Sequence, residues 1–200
     1  MIADDDIGGV KFQRMKLIHG ADGVNDGDVS TANPLPVAGS GTTCDVTLTR
    51  PANTTTYAAN DEVTDTGGAI LTFTGAARVS GGMGYITDLV VSSSANVAAK
   101  PQLWIFLYDT TSTPASDNAA FAPTDGVQDT CVAVLPINIW YPGDDTAGAT
   151  GNAIGVYSGP PVAYKTSGSA NLFGRVKILN AYVPPANSET FKFRMKVRFD

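Results

Sequence analysis

Apolar and basic side chains alternate without a break from Phe191 to Phe199, next to the end of the chain. Phe191, Phe193, Met195, Val197 and Phe199 fall on one parity, and Lys192, Arg194, Lys196 and Arg198 on the other. Successive side chains of a strand point to opposite faces, so this pattern predicts a β-strand with an apolar inward face. The four cations then form one outward ridge. Near the other end, Val10 to Ile18 also reads as a strand, with a change of parity or a bulge between Phe12 and Met15. Residues 1–9 are acidic and glycine-bearing, and read as a flexible arm. The segment Asn33-Pro34-Leu35-Pro36-Val37 must be extended, because each proline fixes φ and disfavours helix in the residue before it.

Between these ends, short runs rich in Val, Ile, Thr, Tyr and Phe alternate with Gly, Pro, Asn and Asp. They predict strands at 45–49, 54–63, 69–74, 84–92, 102–109, 131–135, 153–157, 161–165 and 171–179. The run Gln102–Asp109 is aromatic, continuous and almost uncharged, as a central strand should be. Two long loops are expected, Thr110–Asp129 and one that begins at Trp140 and ends near Asn152; loops of that size often carry function. No window holds a 3.6-residue apolar period over three turns, and only Asn118–Phe121 suits a single helical turn. The expected fold is all-β, an antiparallel sandwich or barrel: an N-terminal strand and extended arm over 1–43, then a β domain over 44–200.

Composition narrows the function more than the fold. Only 16% of the 200 residues are charged and the net charge is −6. Small polar groups therefore cover the surface, as suits a turn-rich β protein or one that hides its surface in an assembly. Between Pro51 and Tyr164 the only cations are Arg78 and Lys100, so basic termini flank an acidic centre. That balance argues against nucleic acid as a partner, which calls for a basic domain. No apolar run approaches the ~20 residues that span a bilayer, so no membrane role is expected. The amino end lacks the basic start and apolar core of a signal peptide, which implies synthesis in the cytoplasm. Cys44 and Cys131 share no ligand-like spacing and are expected as free thiols, Cys131 buried in its apolar run.

Catalytic signatures are weak. The only histidine, His19, stands at a strand end beside Gly20, where a half-exposed imidazole is the ordinary case. Clustered Cys and His for zinc are absent from the sequence. Asp22 to Asp28 places oxygen side chains at alternate positions, but Asn33 stands where a calcium loop closes with glutamate, and such residues also make plain turns. Asp144 and Asp145 are neighbours in a loop rather than groups facing across a cleft. Gly81-Gly82-Met83-Gly84 lacks the strand–helix context of a phosphate cradle. No enzyme activity, cofactor or metal is expected. The basic ridge admits two readings: a solvated face or guarded sheet edge, or a surface that docks onto acidic protein.

The run Phe12–Val37, and within it GADGVNDGDVSTANPLPV from Gly20 to Val37, resembles an N-terminal pattern of virion structural proteins of tailed bacteriophages. The β-rich remainder is similar in character to head decoration (cement) proteins, often jelly-roll domains. The resemblance implies a jelly-roll β-sandwich on the outside of the head, made in the host cytoplasm and located on the virion. Its partners would be the major capsid protein and copies of itself, as a dimer or trimer. No catalytic residue carries over. The expected interface residues are Lys11, Phe12, Arg14, Lys16, Pro34, Leu35, Pro36, Lys192, Arg194, Lys196 and Arg198. The alternative is a tail- or fibre-associated protein that recognises a host receptor, with Trp140, Tyr141 and Tyr157 as sugar-facing aromatics.

Overall fold

A computed structural model describes residues 4–7, 10–13, 41–95, 100–143 and 152–199. The chain divides into two compact units, Met1–Ala38 and Gly39–Asp200. In the first, β1 (Asp4–Ile7) pairs antiparallel with β2 (Val10–Gln13), Asp5 opposite Phe12 and Asp6 opposite Lys11. Part of the stretch expected as a flexible arm is thus a strand. Of the strand expected over 10–18, the first four residues are seen; the rest lies outside the described residues.

The second unit is built from two antiparallel sheets. Its strands are β3 (Gly41–Thr49), β4 (Glu62–Val63), β5 (Leu71–Phe73), β6 (Met83–Ser93), β7 (Leu103–Tyr108), β8 (Cys131–Ile137), β9 (Trp140–Pro142), β10 (Ala153–Val156), β11 (Val162–Lys165), β12 (Leu172–Ile178) and β13 (Thr190–Phe199). The first sheet runs β3-β13-β6-β10-β9, and β11 takes the stretch of β6 beyond β10. The second runs β4-β12-β7-β8, with β5 beside β4 along β12. One short helix, α1 (Asp125–Gln128), sits in the loop between β7 and β8. The helical turn expected at Asn118–Phe121 is instead a turn followed by an isolated bridge from Ala120 to Asp61. No helix among the described residues is long and apolar enough to cross a membrane.

Both sheets send their inward parity into one apolar core. Phe191, Phe193, Met195 and Val197 of β13 meet Leu89 and Val91 of β6, and beneath them Leu103, Ile105 and Leu107 of β7 with Leu135 and Ile137 of β8. Each such side chain, fully removed from water, contributes about 1.5–3 kcal/mol. The segment from Trp140 starts as strand rather than loop: Tyr141 pairs with Ile154, and the Trp140 indole N–H donates to the Pro101 carbonyl at 2.7 Å. Gly155 opposite makes this possible, because a Cβ there would run into Ile137 and Trp140.

The outer face of the second sheet is roofed by residues 110–129. Arg175 on β12 reaches Glu62 on β4 through two parallel N–H···O bonds of 2.6 Å, and the pair is almost wholly buried. Glu62 also accepts the Ala115 N–H at 2.8 Å, which pins the roof. Phe121 from the roof packs on Phe106 with ring centroids 4.6 Å apart, under the Arg175 guanidinium. Removing one member of a buried, hydrogen-bonded ion pair strands the other charge, which costs about 3–5 kcal/mol. Arg175→Met is therefore expected to lower unfolding free energy by about that amount in urea titrations. The double substitution Glu62→Leu/Arg175→Met should recover most of the loss, since no charge is then left unpaired.

Candidate functional site

The four C-terminal cations stand in the middle of an open sheet face. Because β13 lies between β3 and β6, it is not an edge strand, and the reading of the ridge as an edge guard is overturned. Lys192, Arg194 and Lys196 have roughly half of their side-chain surface in solvent. Neighbouring strands supply two carboxylates. Asp45 on β3 lies 3.2 Å from both Lys192 and Arg194, and Asp88 on β6 lies 3.9 Å from Lys196. Arg198 sits over the ring of Tyr85 at 5.0 Å. Four cations against two carboxylates leave the strip positive, on a protein whose net charge is negative.

Register extends this face sideways. Opposite Lys192 lies Ser92 of β6, then Ile154 of β10, then Tyr141 of β9; opposite Arg194 lie Val90 and then Val156. Tyr141 is 59% and Ile154 43% exposed. A basic strip and an apolar strip thus run side by side on one sheet. Over six residue steps of β13 the cations span ~20 Å, the scale of a protein–protein contact rather than of a small-molecule pocket.

The remaining residues expected at an interface belong to the first unit or lie outside the described residues. Lys11 and Phe12 lie on β2 in the other unit, one edge of which β1 already occupies. Arg14, Lys16, Pro34, Leu35 and Pro36 lie outside the described residues, as do His19, the Asp22–Asp28 loop and the Asp144–Asp145 pair. Of the three aromatics considered for sugar stacking, only Tyr141 is open. Trp140 is held against Pro101, and Tyr157 is buried with its hydroxyl donating to the Pro160 carbonyl at 2.9 Å. Both cysteines are free; Cys44 is buried, with its thiol pushed up to about 11 chiefly by desolvation, whereas Cys131 is only partly buried.

A second polar cluster, unforeseen from the sequence, closes one end of the core. Arg50 at the end of β3 donates through Nε to the Tyr57 hydroxyl, which donates to Asp117 at 2.6 Å. Asp117 also accepts the Thr64 N–H at 3.1 Å and lies 3.5 Å from the Arg50 guanidinium. Tyr182 stacks near Tyr57, with ring centroids 6.4 Å apart, and donates to Glu189 at 2.9 Å; Ser93 donates to Glu189 at 2.7 Å. Burial, before any neighbouring charge, drives both phenols well above the ordinary tyrosine range. They stay protonated donors near neutral pH. Their role is to tie the ends of β3, β6 and β13 to the loops around Tyr57, Asp117 and Tyr182.

Comparison with family models, curated proteins and solved structures finds no match to this chain.

The ridge has a titratable signature. The hydrogen bond from Arg194 foremost, opposed by burial and aided by the hydrogen bond from Lys192 and both positive charges, holds the Asp45 carboxyl below its ordinary 3.8. A carboxyl lowered on folding adds stability above its unfolded value and loses it as pH falls through the folded one. The gain is small here because the group is exposed. A carboxyl-detected NMR titration should place the Asp45 midpoint below 3.8, and Arg194→Gln should move it upward.

Proposed function

We propose that this protein is a decoration, or cement, protein of a tailed-bacteriophage head, binding outside the shell and bridging major capsid subunits. The observation that carries the reading is the basic strip of β13 in the middle of an open sheet face, flanked by Tyr141, Ile154, Val90 and Val156. A face of this kind suits an acidic protein surface: complementary charge speeds and orients encounter, and the apolar strip adds affinity once water is excluded. The resemblance of Gly20–Val37 to virion proteins supports the same reading. So does the architecture, whose two sheets over one core suit a jelly-roll sandwich. In this reading the body is an inert oligomeric block with no catalytic role. The proline-bearing segment within 10–37 and the strand 190–199 make the contacts with capsid or sister subunits. A chain already restricted by Pro34 and Pro36 loses little conformational freedom on docking. The receptor-binding alternative retains only Tyr141 of its three aromatics on open surface.

Co-sedimentation with heads stripped of this protein tests the proposal. Lys192→Glu/Arg194→Glu should weaken binding at least tenfold, an effect of about 1.4 kcal/mol, while the melting temperature stays near that of the parent. Wild-type binding should also weaken as salt rises, because the strip is solvent-exposed. Unchanged binding by the variant, or a copy number per particle far below that of the major capsid subunit, would overturn the assignment.

A further inference from the structure

Beneath the roof of the second sheet lies a cleft of about 290 Å³ that the docking face does not use. Its walls include Phe106 from β7 and Phe121 and Pro123 from the roof, and Tyr108, Cys131 and Lys177 also line it. Two features set it apart from a packing gap. Tyr108 is completely buried, yet its hydroxyl has no hydrogen-bond partner among the described residues. A buried donor without an acceptor is costly and uncommon in folded proteins. Burial pushes this phenol up to about 12, so it remains an O–H donor at neutral pH. Secondly, Lys177 faces aromatic rings, 5.7 Å from Phe121 and 5.9 Å from Trp104, and no carboxylate among the described residues pairs with it. The buried glutamate nearby accepts from Arg175 and the Ala115 N–H.

From this combination we infer that the cleft is a binding site for a small carboxylate with a ring-sized apolar body. The apolar part rests against Phe106, Phe121 and Pro123, and the negative charge meets Lys177. The Tyr108 O–H, covered in the ligand-free protein, donates to one carboxylate oxygen once the entering ligand parts the side chains over it. The volume lies at the lower end of the range for ligand pockets, which fits a single ring. This site is on the opposite sheet from the basic strip and stands independently of the capsid reading.

Benzoate is a suitable probe, titrated into the full chain and followed by amide NMR, with benzyl alcohol as the uncharged comparison. Saturable shifts confined to the surroundings of Tyr108, Phe121 and Lys177 are expected, with benzyl alcohol binding more weakly. Tyr108→Phe removes only the hydroxyl, and Lys177→Gln only the charge. Each should weaken benzoate about tenfold, as expected for a charge-assisted hydrogen bond or a half-buried charge pair. Without ligand, Tyr108→Phe should melt at the same temperature or higher, because it deletes an unsatisfied donor. Absence of saturable benzoate shifts, or full benzoate affinity in either variant, would overturn the assignment.

Discussion

One strand, β13, carries two obligations that its alternation keeps apart. It hydrogen-bonds to β3 along one edge and to β6 along the other, so its register is held from both sides. A slip of one residue would turn Phe191, Phe193, Met195 and Val197 to solvent and drive four cations into the core. Charges without partners in that interior would be prohibitive, so the register is set by exclusion as much as by attraction. A single irregularity is tolerated, a bulge at Thr87 opposite Lys196–Val197, and it restores parity so that Tyr85 again faces outward beneath Arg198.

The two outer faces of the unit solve the same problem differently. The first sheet leaves its outer face open, polar where Thr43, Asp45 and Thr47 of β3 stand beside the cations of β13 and apolar toward Ile154 and Tyr141. The second has Trp104, Phe106 and Val134 on its outer parity; residues 110–129 cover it around Phe106 and Arg175, while Trp104 and Val134 stay partly exposed. Covering a sheet with irregular chain buries backbone polar groups that need partners. The Glu62–Arg175 pair and the bridge from Asp61 to Ala120 supply some of them. That roof is also what creates the cleft at Tyr108, since side chains of a loop cannot interdigitate with a sheet as fully as a second sheet can.

Much of the secondary structure was legible because strands announce themselves by period and by their bounding turns. The runs 131–135, 171–179 and 190–199 coincide closely with β8, β12 and β13. Only the last two residues of 54–63 became a strand, β4, although Tyr57 forms a bridge to Tyr182; β-prone residues there serve a tyrosine pair instead. β9 was missed because Trp140-Tyr141-Pro142-Gly143 reads as turn chemistry, and only pairing with β10 makes it strand. The buried charges left a fainter trace. Arg50 shares the parity of Cys44 and Leu48, and Glu189 that of Phe191 and Phe193, so both had to point inward.

What the sequence determined by itself is local: which segments extend, which side of β13 is apolar, and that its cations share one face, because side-chain direction in a strand depends only on parity. What needed the tertiary structure is every fact about neighbours. That β13 sits inside its sheet, that Asp45 and Asp88 halve the charge of the ridge, and that Tyr141 and Ile154 stand beside it all depend on strand order. The partners of Arg50, Glu62 and Tyr108 depend on it equally. Residues far apart in the chain meet through long-range pairing, and alternation along one strand carries no information about which strand comes next.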